Sequence, residues 1–348
     1  MCLPPIVGSV EKGYCLGIES TADDFGVGVV SLGGEVLANV NDTYVPEKGG
    51  IHPREAARHH ADVAGKVIAE ALKRAKIDYK ELAAIAFSQG PGLGPCLRTG
   101  ATAARALASY LSLPLVGVNH CVAHIEIGKH ATGAKDPVTL YVSGGNTIIS
   151  AYEANRYRVF GETLDIAVGN CLDVFVREAG LKAEGGKAPG KVVEELAAKG
   201  KRFMALPYTV KGMDLSFSGL LTAAISLLRE KKVGLEDVCF SFQETAFSML
   251  TEVTERALAH TEKSEVLLTG GVAANRRLQS MLRTMAEDHG AQFSVVPREY
   301  SADNGAMIAW AGILNLRHVI TVPVEKSFVK LKWRLDSVEV PWVEKPTC

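Results

Sequence analysis

The segment VNHCVAHIEIG carries His120 and His124, four residues apart. On a helix that spacing puts both imidazoles on one face, about one turn apart, which suits a single metal ion. Asn119 is a good cap for such a helix, which is expected to lie at the surface. Two packed or solvated histidines are the bland alternative. A third donor must come from elsewhere. SADNGAMIAWAG puts Asp303 at the start of the last long helix, where a carboxylate also serves as an ordinary N-terminal cap. Two histidines and one carboxylate with open positions suit Fe(II) or Zn(II). A zinc protease would carry H-E-x-x-H. Here Cys121 holds that glutamate position and Glu126 follows the second histidine, which disfavours that class.

Other segments suit a nucleotide. YVSGGNT joins two expected strands through Gly144 and Gly145, where backbone can approach a phosphate and Ser143, Asn146 and Thr147 add donors. The same residues also make a plain hairpin turn. LLTGGVAANRRL runs from a strand through Gly270 and Gly271 into a helix containing Asn275, a context for a base or ribose. It lacks the spacing of a dinucleotide fingerprint. GPGLGP, residues 90–95, is a ligand loop or a rigid turn. Asp173 and Glu194 fall on expected helices, where a carboxylate can accept from ribose hydroxyls or simply be solvated.

The elements that must position these residues come in two similar runs. The first has three strands beginning at YCLGI, a helix over 53–76, a strand at 83–88, a helix over 97–111, a strand at 115–118 and a helix opening near Asn119. In the 53–76 helix the apolar positions are Ala57, Ala61, Ala64, Ile68, Ala71 and Ala75. The second run has three strands from VTLYV through RYRVFGE and helices over 170–179, 192–199, 218–229 and 236–260. A strand at 265–269, a helix over 275–289, a strand at 292–296 and a helix over 303–316 complete it. Two repeats of this order predict an α/β chain with the duplicated actin-like ATPase (ribonuclease H-like) fold. It has two lobes and a central cleft that receives ligand. The expected lobes are 13–135, with a C-terminal segment 305–345 packing on it, and 136–304. In that frame the start of the last helix would face the cleft, which favours Asp303 as the third ligand.

The chain has 348 residues, 47% hydrophobic and 22% charged, as an ordinary globular protein has. No apolar run approaches the ~20 residues of a membrane helix, and the N-terminus does not read as a secretory signal. Seven scattered cysteines include no C-x-x-C pair, so the expected home is the reducing cytoplasm. The net charge of −1 argues against strong, unaided binding to nucleic acid. The basic residues form short groups: Lys73, Arg74 and Lys76; Arg229, Lys231 and Lys232; and Lys326, Lys330, Lys332 and Arg334. The first two groups read as solvated faces, and the third as a possible contact with substrate.

Taken together, GGIHPREAARHHA, GPGLGPCLRTG, VNHCVAHIEIG, YVSGGNT, GETLDIAVGNCLD, LPYTVKGMDLSFSG, SFQETAF, GGVAANRRL, DNGAMIAW and RLDSVEVPW resemble one family. It is the archaeal and eukaryotic branch of the enzymes that make threonylcarbamoyladenosine on tRNA, the transferase subunit of the KEOPS complex. The resemblance covers nearly the whole chain from Tyr14, and YVPEKGGIHPREAARHH looks archaeal. It implies transfer of threonylcarbamoyl from its adenylate to the exocyclic amine of the adenosine beside the anticodon, in tRNAs reading codons that begin with A. It implies one Fe(II) or Zn(II) on His120, His124 and Asp303, with Tyr141 a further oxygen ligand. The nucleotide, ATP or threonylcarbamoyl-AMP, falls on Tyr141, Val142, Ser143, Gly144, Gly145, Asp173, Glu194, Asn275 and a glycine, Gly186 or Gly190, with spacing favouring Gly190. The implied partners are tRNA and a small kinase-like ATPase subunit, a dimer-forming subunit and an accessory subunit. The 53–76 helix is the candidate docking surface. There are departures. Val174 replaces a usual basic residue, Ser301 a common Cys and Asp24 a frequent His, and EGGKAPGK is a stretched loop. General bases on offer are His52, His59 and His60, each more simply read as packing or surface. The rivals are an ATP-dependent kinase of the same fold, which would need no fixed transition metal, and a non-catalytic nucleotide-binding scaffold.

Overall fold

The computed structural model describes residues 13–46, 49–181 and 188–343; Cys2, Gly186 and Cys348 lie outside them. The strands are β1 (Tyr14–Glu19), β2 (Asp24–Ser31), β3 (Val36–Thr43), β4 (Leu82–Gly90), β5 (Leu115–Asn119), β6 (Val138–Val142), β7 (Thr147–Glu153), β8 (Arg156–Glu162), β9 (Val210–Lys211), β10 (Asp214–Leu215), β11 (Glu265–Thr269) and β12 (Gln292–Val295). The helices are α1 (Pro53–Ala75), α2 (Gly94–Leu111), α3 (His120–Thr132), α4 (Val168–Glu178), α5 (Pro189–Ala197), α6 (Ser218–Glu230), α7 (Leu235–Thr261), α8 (Arg276–Asp288), α9 (Arg298–Ser301) and α10 (Gly305–Arg317). Among the described residues no helix is long and apolar enough to cross a membrane.

The chain divides into two compact units. The first runs to Ile127 and resumes at Asp303; the second is Gly128–Ala302. Each holds one five-stranded sheet, ordered β3-β2-β1-β4-β5 in the first and β8-β7-β6-β11-β12 in the second. In both, a three-stranded antiparallel meander is extended by two parallel strands. The same topology appears twice, so the fold is duplicated. The parallel strands are apolar nearly throughout, as β4 is at Leu82, Ala84, Ile85, Ala86 and Phe87, because helices cover both faces of such strands.

In unit 1, α10 lies directly on the meander. Gly17 and Gly28 face each other across β1 and β2. A Cβ on Gly28 would stand 2.2 Å from the Ala306 nitrogen, and one on Gly17 2.2 Å from the Ala309 nitrogen. Glycine is therefore what lets the helix approach this closely. The helix itself is buried from Gly305 through Leu314.

Helix α1 keeps the expected face at its C-terminal end, where Ala71 and Ala75 are buried, but turns another one inward at its start. The buried residues are Ala56, His60, Val67, Ala71 and Ala75, while Ala61 is exposed and Ala57, Ala64 and Ile68 are half-buried. The reason is His60, whose Nε2 meets the Ala22 carbonyl at 3.0 Å and whose ring packs on Phe25 at 5.6 Å. A polar residue thus holds a core position, and the sequence pattern hid it. Helix α2 begins at Gly94 rather than Leu97, since Pro95 sits in its first turn, where no N–H is needed. GPGLGP packs against other backbone of unit 1. Gly92 N donates to the Leu331 carbonyl at 3.3 Å and Leu93 N to the Thr21 carbonyl at 2.7 Å.

Candidate metal centre

Of the four expected metal ligands, His120, His124 and Asp303 belong to unit 1, although the expected lobe boundary put Asp303 in the second. Asn119 accepts at Oδ1 from the Cys121 and Val122 amides at 3.0 and 3.1 Å and so caps α3. Contrary to the expectation of a surface helix, α3 is buried over its first two turns. His120 is 4% exposed and His124 0%. Buried polar groups need partners, and here the partner is Asp303. The cap of α10 is not Asp303 but Asn304, which accepts from the Met307 amide at 2.9 Å. The Asp303 carboxylate is thereby left to side chains. Its Oδ1 lies 3.0 Å from His124 Nε2 and 3.5 Å from His120 Nε2, and its Oδ2 accepts from Thr21 Oγ1 at 3.4 Å.

One ligand atom from each of His120, His124 and Asp303 lies within 4.8 Å of the others. Ligand atoms bound about 2.1 Å from one ion lie roughly 3–3.5 Å from each other, close to the two histidine–carboxylate distances. The set fits a divalent transition metal. Cys121 stands beside it, but burial pushes its thiol up to about 12, so it stays a neutral thiol. Glu126, the one acid on α3, accepts from Trp342 Nε1 at 2.9 Å.

Sequence reasoning missed Glu19. It ends the otherwise apolar strand β1 and is wholly buried, and its Oε2 accepts from His120 Nδ1 at 3.0 Å. It holds the His120 ring with Nδ1 toward Glu19 and Nε2 toward Asp303, the arrangement an outer carboxylate gives a histidine that ligates a metal. A glutamate closing a buried β-strand was the available signal. Burial opposes a charge on His120, but Glu19 and then Asp303 outweigh it and its pKa stands at about 9. Burial holds His124 below the ordinary histidine range despite its bond to Asp303. Asp303 is held well below the carboxylate range: burial works against ionisation, and His120 and His124 overcome it. Glu19→Gln is expected to weaken metal binding about 10–100-fold. Isothermal titration with Zn(II) reads this directly, and wild-type affinity would refute the role.

The expected nucleotide residues belong to unit 2, so Tyr141 is not part of the unit 1 cluster. Tyr141 is fully buried, and its hydroxyl accepts from Asn146 Nδ2 at 3.3 Å. Val142 is buried at the end of β6, and Ser143 opens the turn that follows. That turn is tight, since Ser143 N donates to the Asn146 carbonyl at 2.8 Å and Asn146 N to Ser143 Oγ at 3.1 Å. Gly144 and Gly145 are exposed, with open space where a Cβ would stand. The Gly169 amide of α4 donates to the Ser143 carbonyl at 3.2 Å. Gly270 takes φ +96°, and a Cβ there would stand 2.2 Å from the Val142 carbonyl oxygen.

Asn275 is the N-cap of α8 rather than a residue within it. Its Oδ1 accepts from the Arg277 and Leu278 amides at 2.9 and 3.2 Å, while Nδ2 donates to Gln243 Oε1 at 3.1 Å. Glu194 joins it there, accepting from the Arg276 amide at 2.8 Å and pairing with Lys191 at 2.7 Å. Gly190 lies in the first turn of α5, and Asp173 is exposed on α4. Of the candidate bases, His59 faces Asp42 at 2.9 Å and His60 is buried in packing.

The model of the family TsaD, tRNA N6-adenosine threonylcarbamoyltransferase, matches residues 35–310. A protein of Thermofilum pendens called tRNA N6-adenosine threonylcarbamoyltransferase is 57% identical over 94% of this chain and 96% of its own length. One of the same name from Archaeoglobus fulgidus is 57% identical over 94% of this chain and 99% of its own. A "probable bifunctional tRNA threonylcarbamoyladenosine biosynthesis protein" of Methanothermobacter thermautotrophicus is 57% identical over 95% of this chain, which spans 61% of that protein. Among solved structures, HypF of T. kodakarensis aligns at TM-score 0.63 with 15% identity, over 88% of this chain and 48% of its own. The activator of 2-hydroxyisocaproyl-CoA dehydratase from Clostridium difficile, with bound ADPNP, aligns at 0.54 with 10% identity, over 88% and 96%. At these identities the structures speak for the fold alone, the duplicated actin-like ATPase fold.

Proposed function

Because the chain belongs to the TsaD family, the tRNA N6-adenosine threonylcarbamoyltransferases, we propose that it catalyses threonylcarbamoyl transfer to tRNA, on the metal set of His120, His124 and Asp303. The acceptor is the exocyclic amine of the adenosine next to the anticodon, in tRNAs reading codons that begin with A. The donor is threonylcarbamoyl-AMP. The amine nitrogen bonds to the carbamoyl carbon, the bond from that carbon to the phosphate oxygen breaks, and AMP leaves as the amine gives up a proton. The observation that carries the reading is the buried pair of histidines converging on one carboxylate, with Glu19 behind them.

A bound Fe(II) or Zn(II) would supply a Lewis acid and a template for oxygens of the transferred group. Glu19 holds the His120 ring so that Nε2 points toward Asp303. Thr21 ties the β1–β2 turn to that carboxylate. We assign Tyr141 as a further oxygen ligand, and Tyr141, Val142, Ser143, Gly144, Gly145, Asp173, Gly190, Glu194 and Asn275 to the nucleotide. The Ser143–Gly145 amides would face phosphate, and the Asp173 and Glu194 carboxylates ribose. Orientation of two bound reactants alone can contribute roughly 7–11 kcal/mol. The formal net charge of −1 supports a chain that needs partner subunits to hold tRNA well. We place it in the cytoplasm, with a kinase-like ATPase subunit, a dimer-forming subunit and an accessory subunit as partners and α1 as the candidate docking surface.

Metal analysis of purified protein and melts with and without nucleotide test this reading. A ligand that binds only the native state at a hundredfold excess over Kd adds roughly 2.7 kcal/mol of stability. Asn275→Ala should cost about 1 kcal/mol by itself as a lost cap. The informative quantity is therefore the shift that ATP adds, which should shrink in Asn275→Ala and in Glu194→Ala. No shift in the wild type at millimolar nucleotide would end the nucleotide assignment.

A further inference from the structure

Residues 326–334 read KSFVKLKWR, with four cations and no acid among them. They cross unit 1 as an irregular strap that is tied down mainly through its own backbone. Lys330 N donates to the Gln89 carbonyl at 2.7 Å, and Gly92 N to the Leu331 carbonyl at 3.3 Å. Gln89 Nε2 donates to the Phe328 carbonyl at 2.8 Å, and Asn119 Nδ2 to the Trp333 carbonyl at 3.1 Å. Two side chains also anchor it: Val329 packs against the unit 1 core, and Ser327 Oγ accepts from Arg105 Nε at 2.8 Å.

A strap held by its backbone is free to turn its side chains outward. Phe328 is 72% exposed and Leu331 50%; Lys326 and Lys332 are exposed as well. Arg334 is paired with Asp336, and Lys330 covers the Trp333 ring at 3.9 Å. That leaves Lys326 and Lys332, flanking a solvent-facing phenyl ring. Among the described residues neither takes part in an ion pair. Cations that can track a phosphate chain, interleaved with an aromatic face on which any base can stack, are what single-stranded nucleic acid requires. An ordinary solvated face has no use for the ring. The strap also ends in place: Asn119, which holds the Trp333 carbonyl, is the cap of the helix that carries His120 and His124.

We propose that residues 326–334 receive the single-stranded loop of the RNA substrate, with Phe328 as a stacking platform and Lys326 and Lys332 as phosphate contacts. The inference rests on the tRNA reading above. It also accommodates the neutral charge of the chain, because a short cationic strip gives weak, salt-sensitive binding.

The test is anisotropy titration of the full chain with a fluorescent anticodon-type hairpin RNA and a fully paired duplex, between roughly 50 and 200 mM salt. Phe328→Ala should weaken hairpin binding about tenfold and leave duplex binding unchanged, and Phe328→Trp should retain it. The double variant Lys326→Gln with Lys332→Gln should flatten the slope of log affinity against log salt by about 1.4, since each contact to a single strand contributes about 0.7. Melting temperature and Zn(II) affinity should match the wild type in all variants. Hairpin binding that survives every substitution with its slope intact overturns the inference, as does an equal loss on hairpin and duplex. A wild-type chain that binds neither RNA even at the low-salt end overturns the inference too, while threonylcarbamoyl transfer measured with partner subunits present tests the substrate reading separately.

Discussion

His124→Ala is expected to reduce metal content from one ion per chain toward zero and to lower threonylcarbamoyl transfer by about 10²–10³-fold. That is the scale on which losing a single preorganised charge-stabilising group falls. His124 supplies Nε2 at 3.0 Å from Asp303 and is wholly buried. The substitution therefore removes the proposed ligand, opens a cavity and strips Asp303 of a partner. Some loss of stability must accompany it, because a buried carboxylate without its partner is costly. Elemental analysis separates the two effects. The metal should be missing even at temperatures where circular dichroism shows the variant folded. Full occupancy in a variant lacking both His120 and His124 would sink the metal assignment.

The second large effect is expected far from any ligand atom. Gly28→Ala should destabilise unit 1 by about 3 kcal/mol, the upper range for overpacking. For a unit of this size that lowers the melting temperature by roughly 6–12 °C. The added Cβ would meet Ala306 N at 2.2 Å and Gly305 C at 2.4 Å. Both are backbone atoms, so no rotamer change relieves the contact and α10 must move. Asp303 lies two residues before that helix, so metal affinity should fall with stability. Gly33→Ala is the control: its nearest neighbour would be Ser31 Oγ at 3.6 Å, at an exposed position. If the two variants melt within a degree or two of each other, the close approach is not what fixes α10.

Two parts of this protein are local in origin, and the sequence by itself determined them. The alternation of meander strands and helices is written in hydrophobic periodicity, and it predicts both sheets and their duplication. The pairing of His120 with His124 is likewise a matter of spacing on one helix. The long family motifs carried the chemical identity of the reaction. What lies between distant segments was decided only by the tertiary structure. Asp303 looks in sequence like a helix cap, yet Asn304 takes that role and leaves the Asp303 carboxylate for the histidines. Glu19 is separated from His120 by 101 residues, and nothing in its neighbours predicts that it will hold that ring. Helix α1 buries His60 where the apolar spacing pointed to Ala61, because the Ala22 carbonyl and Phe25 are there to receive it. Asn275 caps α8 through local bonds, but the partner of its Nδ2 is Gln243, which only folding brings there. In each case a side chain's local preference is offset by a partner that chain folding brings to it, and one buried hydrogen bond or ion pair is worth more than the local preference it overrides.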